Sequence, residues 1–388
     1  MNLRHAQSPE NIEGMRLGNY PTPLWRFSGS DAAAHDIWIK DDGRTAGLYG
    51  GNKVRKLERL LAAARQRRAT RLLTIGAAGS HHVLATCLYG ARAGLPTHAV
   101  LTPQPWTAHA EATLRAGLNA GLTATPARSY LGALATLRRE RRPGDFVIGP
   151  GGAGVEGTWA YCLAVDELRE QLSREGVPAL DAIIVAAGSG STAAGLLAGI
   201  LRTGAARRVV AVQVVSNPAL RALVIGQAAC ALWRHDQWIR PVDAMRSLRI
   251  DARFIGAGYG HGSAEGERVT ELARSFGLEL EPTYTAKAFA AALSWASPTR
   301  SDPTGSDTTR SDPTRSDPTR SDAGRGDHRR RKLRLHRRRT YLYWHTLSAV
   351  PLTPLLAGAP ETLPRELAQL LFEPSVSPPP PPTPQRRR

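Results

Sequence analysis

Three glycine-containing loops, each leading into a helix-forming stretch, hold the residues best suited to chemistry. The first reads Tyr49-Gly50-Gly51-Asn52-Lys53-Val54-Arg55-Lys56-Leu57-Glu58. Its glycines permit a tight turn, and Lys53 falls where the helix begins. An ammonium there faces the positive end of the helix dipole, which favours the neutral amine. A neutral lysine is the form that Schiff-base chemistry requires. The second loop is Gly76-Ala77-Ala78-Gly79-Ser80-His81-His82. Small residues followed by polar ones at a helix start present backbone N–H groups to an anion, either a carboxylate or a phosphate. Adjacent histidines rarely converge on one ion, and no cysteine or carboxylate stands near them, so no metal is expected. The third loop, Ala187-Gly188-Ser189-Gly190-Ser191-Thr192, has the make-up of a phosphate cradle. Glycines allow close approach, hydroxyls add donors, and a helix dipole stands behind. It is not a P-loop, because no Gly-Lys-Ser/Thr follows, and Ala193 breaks the G-x-G-x-x-G pattern. Taken singly, each loop is also compatible with a plain tight turn.

Two tyrosines add to these. One is flanked by glycines in Gly256-Ala257-Gly258-Tyr259-Gly260, and the other precedes a helix in Glu281-Pro282-Thr283-Tyr284-Thr285-Ala286-Lys287. Either could be a rim aromatic or, with a depressed pKa, an acid–base group.

The elements that must carry these loops alternate in type. Short apolar runs at residues 72–76, 97–101, 145–148, 182–186 and 209–214 predict buried strands. Helices are predicted over 54–69, 108–120, 159–175 and 193–202, the first with Val54, Leu57, Leu60 and Leu61 on one face. This alternation predicts an α/β fold with parallel sheets, whose ligands bind beyond the carboxyl ends of the strands. All three loops lie at such positions. The uncharged stretch 182–201 is long enough to span a bilayer, but Gly188-Ser189-Gly190-Ser191-Thr192 at its centre makes it strand, turn and helix.

The chain has 388 residues, 42% hydrophobic and 22% charged, which is ordinary globular composition and excludes a wholly unfolded or collagen-like chain. Its three cysteines form no CxxC pair, which argues against a disulfide scaffold or a cysteine zinc site and for a reducing, cytoplasmic setting. The polar start of the chain carries no secretory pattern. The net charge of +18 is unevenly spread: residues 298–340 hold thirteen Lys or Arg against six Asp, and Arg386 to Arg388 add three more. The first of these segments is an imperfect S-D-P-T-R repeat ending in a basic run. With almost no apolar side chains it is expected to be a disordered insertion. Residues 329–339 could grip phosphates of a nucleic acid, although a solvated spacer is the simpler expectation. Residues 373–388 read as a Pro/Arg-rich tail.

Taken in order, Pro21-Thr22-Pro23-Leu24, Ile39-Lys40-Asp41-Asp42 and Gly50-Gly51-Asn52-Lys53-Val54-Arg55-Lys56-Leu57-Glu58 resemble one family. It is the pyridoxal-phosphate enzymes of the D-cysteine desulfhydrase and 1-aminocyclopropane-1-carboxylate deaminase group. The similarity continues through the Ser-His-His and Gly-Ser-Gly-Ser-Thr loops and both tyrosine motifs. It resumes after the insertion at Leu342-Tyr343-Trp344-His345-Thr346, covering residues 15–297 and 341–372.

The resemblance implies the tryptophan synthase β-like fold (fold type II), with two open, twisted, mostly parallel sheets flanked by helices. It implies a large cofactor domain from 1–53, 160–297 and 341–372, and a small domain from 54–159. Lys53 would hold pyridoxal 5'-phosphate covalently. Lys56 and Gly188, Ser189, Gly190, Ser191 and Thr192 would hold its phosphate. Ser80, His81 and His82 would receive the substrate carboxylate, with Ser80 also in a catalytic role. Tyr259 and Tyr284 would line the substrate face as catalytic groups, and Thr346 or Thr285 would face the pyridine nitrogen. A homodimer acting on a small amino acid is also implied. Two departures bear on function. His81 stands where the family usually has an Asn that contacts the cofactor's ring oxygen. Thr285 stands where ring-opening deaminases carry Glu, which favours elimination from a D-amino acid. The expected activity is therefore a lyase that converts a D-cysteine-like substrate to a 2-oxo acid and ammonia. The alternatives are a 1-aminocyclopropane-1-carboxylate deaminase and an inactive lyase-like protein that binds polyanions through the basic insertion.

Overall fold

A computed structural model describes residues 15–28, 35–177, 179–297 and 338–372. The chain begins with β1 (Leu24–Arg26), β2 (Asp36–Asp41), α1 (Lys53–Gln66), β3 (Arg71–Ala77), α2 (His81–Arg92), β4 (Thr97–Thr102) and β5 (Gln104–Pro105). It continues with α3 (Ala108–Asn119), β6 (Thr123–Pro126), α4 (Tyr130–Glu140), β7 (Asp145–Ile148), α5 (Val155–Arg174), β8 (Ala182–Ala187), α6 (Ser191–Thr203) and β9 (Val209–Gln213). The last elements are α7 (Leu220–Arg234), α8 (Pro241–Ser247), β10 (Leu248–Asp251), α9 (Ala264–Ser275), α10 (Thr285–Ala296), β11 (Thr340–His345), α11 (Arg365–Ala368) and β12 (Leu371–Phe372).

Two larger sheets organise most of these elements, as the α/β alternation predicts, and β5 pairs with β12 in a separate two-stranded sheet. A four-stranded sheet has the order β6-β4-β3-β7 with every pairing parallel. A six-stranded sheet has the order β1-β2-β11-β8-β9-β10, parallel throughout except for β1 at its edge. Strand β8 shows why its sequence is an unbroken apolar run. Ile183 and Val185 face the α5–α6 side while Ala182 and Ile184 face the α10 side, so both faces are buried. The predicted apolar face of α1, Val54, Leu57, Leu60 and Leu61, packs into the core of the small sheet. The stretch 182–201 is strand, turn and helix, and no helix among the described residues is long and apolar enough to cross a membrane.

Boundaries differ in places. Helix α1 ends at Gln66 rather than Ala69, because Arg68 adopts a positive φ of 53°. Helix α5 begins at Val155, four residues earlier than its apolar pattern suggests, straight after the turn at Gly154. Thr340, placed by its sequence in the insertion, is already the first residue of β11. That strand lies between β2 and β8 in the large sheet, so the chain returns from the insertion into the sheet's interior. The basic run 329–337, the S-D-P-T-R repeats and the 373–388 tail lie outside the described residues.

A buried ionic network ties α1 to the large sheet. The Arg55 guanidinium, 6% exposed, donates to Asp42 at 2.9–3.2 Å and to both Glu167 oxygens at 2.8 and 2.9 Å. Asp42 also accepts from the Tyr161 hydroxyl (2.5 Å) and the Trp344 indole (2.7 Å). Lys40 donates to Glu167, Gln171 and the Thr22 carbonyl. Burial alone would raise the Glu167 carboxyl, but Arg55 and Lys40 outweigh it and hold its pKa at about 2. The Lys40-Asp41-Asp42 and Arg55 portions of the sequence motifs are thus structural. Removing one partner of a buried charge set costs about 3–5 kcal/mol, because the others stay buried and uncompensated. Arg55→Ala is therefore expected to lose about that much in urea unfolding, whereas a loss below about 1 kcal/mol would place the network with weak surface pairs.

Candidate active site

The chemistry-bearing loops converge because each follows the carboxyl end of a parallel strand. From β2 the chain turns through Asp42 to the Gly50-Gly51 turn and α1. From β3 it enters the Ser80 loop, from β7 a second glycine turn, from β8 the 188–190 loop, and from β11 Thr346. The Gly50-Gly51 turn packs on the last of these. The Asn52 N–H donates to the Thr346 carbonyl (3.1 Å), and a Cβ on Gly51, whose φ is +90°, would lie 2.7 Å from that oxygen. The turn requires glycine for both reasons.

Lys53 is the first residue of α1, and burial lowers its amine to about 8. The direction is the one its position predicts, with desolvation rather than the dipole as the cause. Lys56, one turn on, is 1% exposed; its Nζ donates to Ser191 Oγ (2.6 Å) and to the Gly151 carbonyl (3.2 Å). Burial and the neighbouring Lys53 hold its amine well below the usual lysine range. Among the described residues no carboxylate forms an ion pair with either lysine. Two adjacent, desolvated amines without a counter-charge favour an incoming anion.

The cradle for that anion is the 188–192 loop. Gly190 has φ +83°, and its Cβ would meet Val224 at 2.9 Å, so glycine is required there too. The loop leads directly into α6, with Gly190 as its N-cap residue. Thr192 Oγ1 accepts from Asn52 Nδ2 (3.2 Å), joining the cradle to the Lys53 turn. Two further contributors escape the sequence reading. In the Gly149-Pro150-Gly151-Gly152 turn, Gly151 has φ +65° and a Cβ there would come within 2.9 Å of Ser189 Oγ. Gln227 of α7 donates to the Ser189 carbonyl at 3.1 Å. The glycine turn after a strand was a legible signal, whereas Gln227 sits on a helix with nothing to mark it.

The second loop is arranged differently from expectation. Ser80 caps α2, accepting from the Val83 N–H at 3.4 Å. The His81 ring is committed on both nitrogens, Nδ1 to the Tyr49 hydroxyl (2.5 Å) and Nε2 to His109 Nε2 (3.1 Å). Burial, His109 and Lys53 push its pKa down to about 3, so it is neutral. Its nitrogens therefore serve neighbouring side chains rather than standing free for a cofactor oxygen. Tyr49 and His109 were not singled out in the sequence, and His109 reaches His81 only through the fold. The His82 ring is 3% exposed, with nitrogens on Thr74 Oγ1 (3.0 Å) and Thr86 Oγ1 (3.5 Å), so the imidazole is committed to the core while its backbone lies at the start of α2.

The tyrosines do meet. Tyr284 donates to the Tyr259 hydroxyl at 2.8 Å, with the rings edge to face at 5.7 Å. Tyr284 borders the cradle, since a Cβ on Gly188 would lie 3.4 Å from its ring. Of the two alternatives, rim aromatic or depressed-pKa acid–base group, the site does not provide the depressed pKa. Burial raises Tyr259 to about 12 and Tyr284 well above its usual value, so both are neutral hydroxyls. Behind them the buried Glu281 carboxylate accepts from the backbone N–H groups of Thr283, Tyr284 and Thr285 at 2.7–2.8 Å, capping α10. The Thr285 hydroxyl accepts from the Glu281 N–H at 2.7 Å and lies 3.3 Å from its carboxylate. Thr285 is thus bound to Glu281, while Thr346 adjoins the Lys53 turn.

This arrangement fits pyridoxal phosphate: a low-pKa lysine for its aldehyde, and a buried lysine, hydroxyls and a helix N-terminus for its phosphate. Comparisons with known proteins agree. Residues 15–305 match the family described as pyridoxal-phosphate dependent enzyme. The chain is 34% identical over 284 residues to nocardicin C-9' epimerase of Nocardia uniformis subsp. tsuyamanensis, covering 69% of this chain and 84% of that protein. Among solved structures, an ACC deaminase homologue superposes with a TM-score of 0.65 at 25% identity, over 88% of this chain and 95% of its own. A fungal L-serine ammonia-lyase from Rhizomucor miehei shares the fold alone, with a TM-score of 0.55 at 15% identity, over 86% of this chain and 96% of its own. With its fold, its paired lysines and its glycine cradle, the chain belongs to the pyridoxal-phosphate dependent enzymes of fold type II.

Proposed function

We propose that the protein removes the α-proton of a small amino acid and directs the outcome to β-elimination. A D-cysteine-like substrate would lose its β leaving group, as hydrogen sulfide for cysteine, and hydrolysis of the remainder by water would yield a 2-oxo acid and ammonia. The observation that carries this reading is the pair Lys53 and Lys56, one turn apart, desolvated and without carboxylate partners, against the 188–192 cradle. Bound pyridoxal phosphate supplies the electron sink that makes an amino-acid α-proton removable. The rest belongs to this chain. Lys56, Ser191 and the α6 N-terminus hold an anion in place. Ser80 and the N–H groups at the start of α2 receive the substrate carboxylate. Lys53, with an amine titrating near 8, accepts the α-proton at neutral to mildly alkaline pH. Tyr259 and Tyr284 are protonated throughout that range, so they act as hydrogen-bond donors and not as bases.

Thr285 supports elimination over ring opening of 1-aminocyclopropane-1-carboxylate. A glutamate at that position would stand beside the buried Glu281 carboxylate, so this site is built for a hydroxyl. A second reading, epimerisation, is favoured by the 34% identity to nocardicin C-9' epimerase. It uses the same first step and differs only in returning a proton to the α-carbon. A homodimer in the cytoplasm accompanies either reading, the latter supported by three free cysteines.

Two measurements test the proposal. Incubating D- and L-amino acids in deuterated water, with 2-oxo acid and enantiomer assays, separates the outcomes. Elimination gives 2-oxo acid; epimerisation gives an inverted, deuterated amino acid and no 2-oxo acid. Lys53→Ala should abolish both, and full activity in that variant with cofactor present would overturn the assignment. Because the neutral amine is the reactive form, borohydride trapping of pyridoxal phosphate on Lys53 should rise with pH through a midpoint of about 8. A midpoint near the ordinary lysine value of about 10.4 would contradict the desolvated environment.

A further inference from the structure

Lys287 spends a buried charge on a loop. It lies on α10, three residues after Tyr284, and is fully buried. Its ammonium donates to the carbonyls of Ile255 (2.8 Å) and Gly258 (2.7 Å), and among the described residues it forms no ion pair with a carboxylate. Burial lowers its amine below the usual range. Desolvating an ammonium is costly, and carbonyl oxygens compensate it only in part. The carbonyls it holds belong to the segment that ends in Tyr259. That segment needs holding: it lies between β10 and α9, and Gly256, Gly258 and Gly260 take φ values of +57°, +112° and +81°. Beyond Tyr259, a Cβ on Gly260 would lie 2.8 Å from Pro105, so that end of the segment packs on β5. Tyr259 is thus suspended between a lysine clamp on one side and a packing contact on the other, with its hydroxyl 2.8 Å from that of Tyr284.

We infer that Lys287 is a positioning residue that sets the Tyr259 hydroxyl against Tyr284 by clamping the 255–258 carbonyls, and so governs substrate binding rather than cofactor capture. The inference rests on the two tyrosines lining the substrate face, as in the proposed function. Tyr284 is the N-cap residue of α10 and Lys287 lies in its first turn, so the two tyrosines keep a fixed relation while the clamp holds.

The test has two arms. Hydrogen exchange of the cofactor-loaded protein reports on the clamp without reference to any reaction. Lys287→Met should speed amide exchange across 255–260 by about tenfold or more, while α1 and the 188–192 loop stay protected. Unchanged exchange in 255–260 would overturn the inference. In the kinetic arm, Lys287→Met should raise KM about tenfold with pyridoxal-phosphate affinity unaltered. On a Tyr259→Phe background the same substitution should change kcat/KM by less than about twofold, because both changes remove one function. Additive effects would make Lys287 merely structural and overturn its role through Tyr259. Lys287→Gln, which keeps an N–H donor, should recover part of both signals. It serves alone should Lys287→Met fail to fold: exchange in 255–260 faster than in the unmodified protein is then expected, and exchange at the unmodified rate would contradict the clamp. Absence of any amino-acid reaction in the unmodified enzyme would instead refute the proposed function and leave the exchange arm standing.

Discussion

The site depends on keeping Lys53 out of water while its neighbours stay fixed. Arg55 makes this possible. It is two residues beyond Lys53, on the first turn of α1, and is held by Asp42 from the end of β2 and Glu167 from α5. A guanidinium suits this role, since its planar fork meets two carboxylates at once and stays charged when buried. With Arg55 locked, the helix start cannot rotate, and Lys53 and Lys56 lie on either side of the anchored residue, committed to the site. The lysines are left without counter-ions while Arg55 takes the carboxylates. That division of charge is what leaves the lysines ready for an anion and an aldehyde.

Protonation follows from the same burial. Desolvation acts on every ionisable group nearby and always disfavours the charged form. It lowers Lys53 and His81 and raises Tyr259 and Tyr284. At neutral pH the site is therefore made of neutral hydroxyls and imidazole around two desolvated amines, Lys53 and Lys56. Such a site places few fixed charges near the reacting carbon and leaves the main charge to the ligand's own carboxylate and phosphate.

Much of this was legible in the sequence because the signals are local. Apolar runs of strand length marked β3, β4, β7, β8 and β9, the glycine loop after β8 marked the cradle, and Gly50-Gly51 ahead of an amphipathic run marked the Lys53 turn. What escaped was tertiary. His109 lies 28 residues from His81 and meets it only when α3 packs beside α2. His82, adjacent to His81 in sequence, points instead into the core, because consecutive helical residues face different directions. Both tyrosine motifs were visible and their hydroxyls meet, but whether their pKa values shift was left open, since burial cannot be read from glycine-flanked motifs. Gln227 and Lys287 carry no local signature, and their roles exist only through the carbonyls they reach.

The most direct test of the account is to reduce the pyridoxal-phosphate-loaded protein with borohydride, digest it and locate the modified residue by mass spectrometry. A single adduct on Lys53 is expected, lost in Lys53→Ala, while Lys56→Met keeps the adduct but forms it only at higher cofactor concentration. An adduct on Lys56, or one that persists elsewhere after Lys53→Ala, would contradict the division of labour between the two lysines.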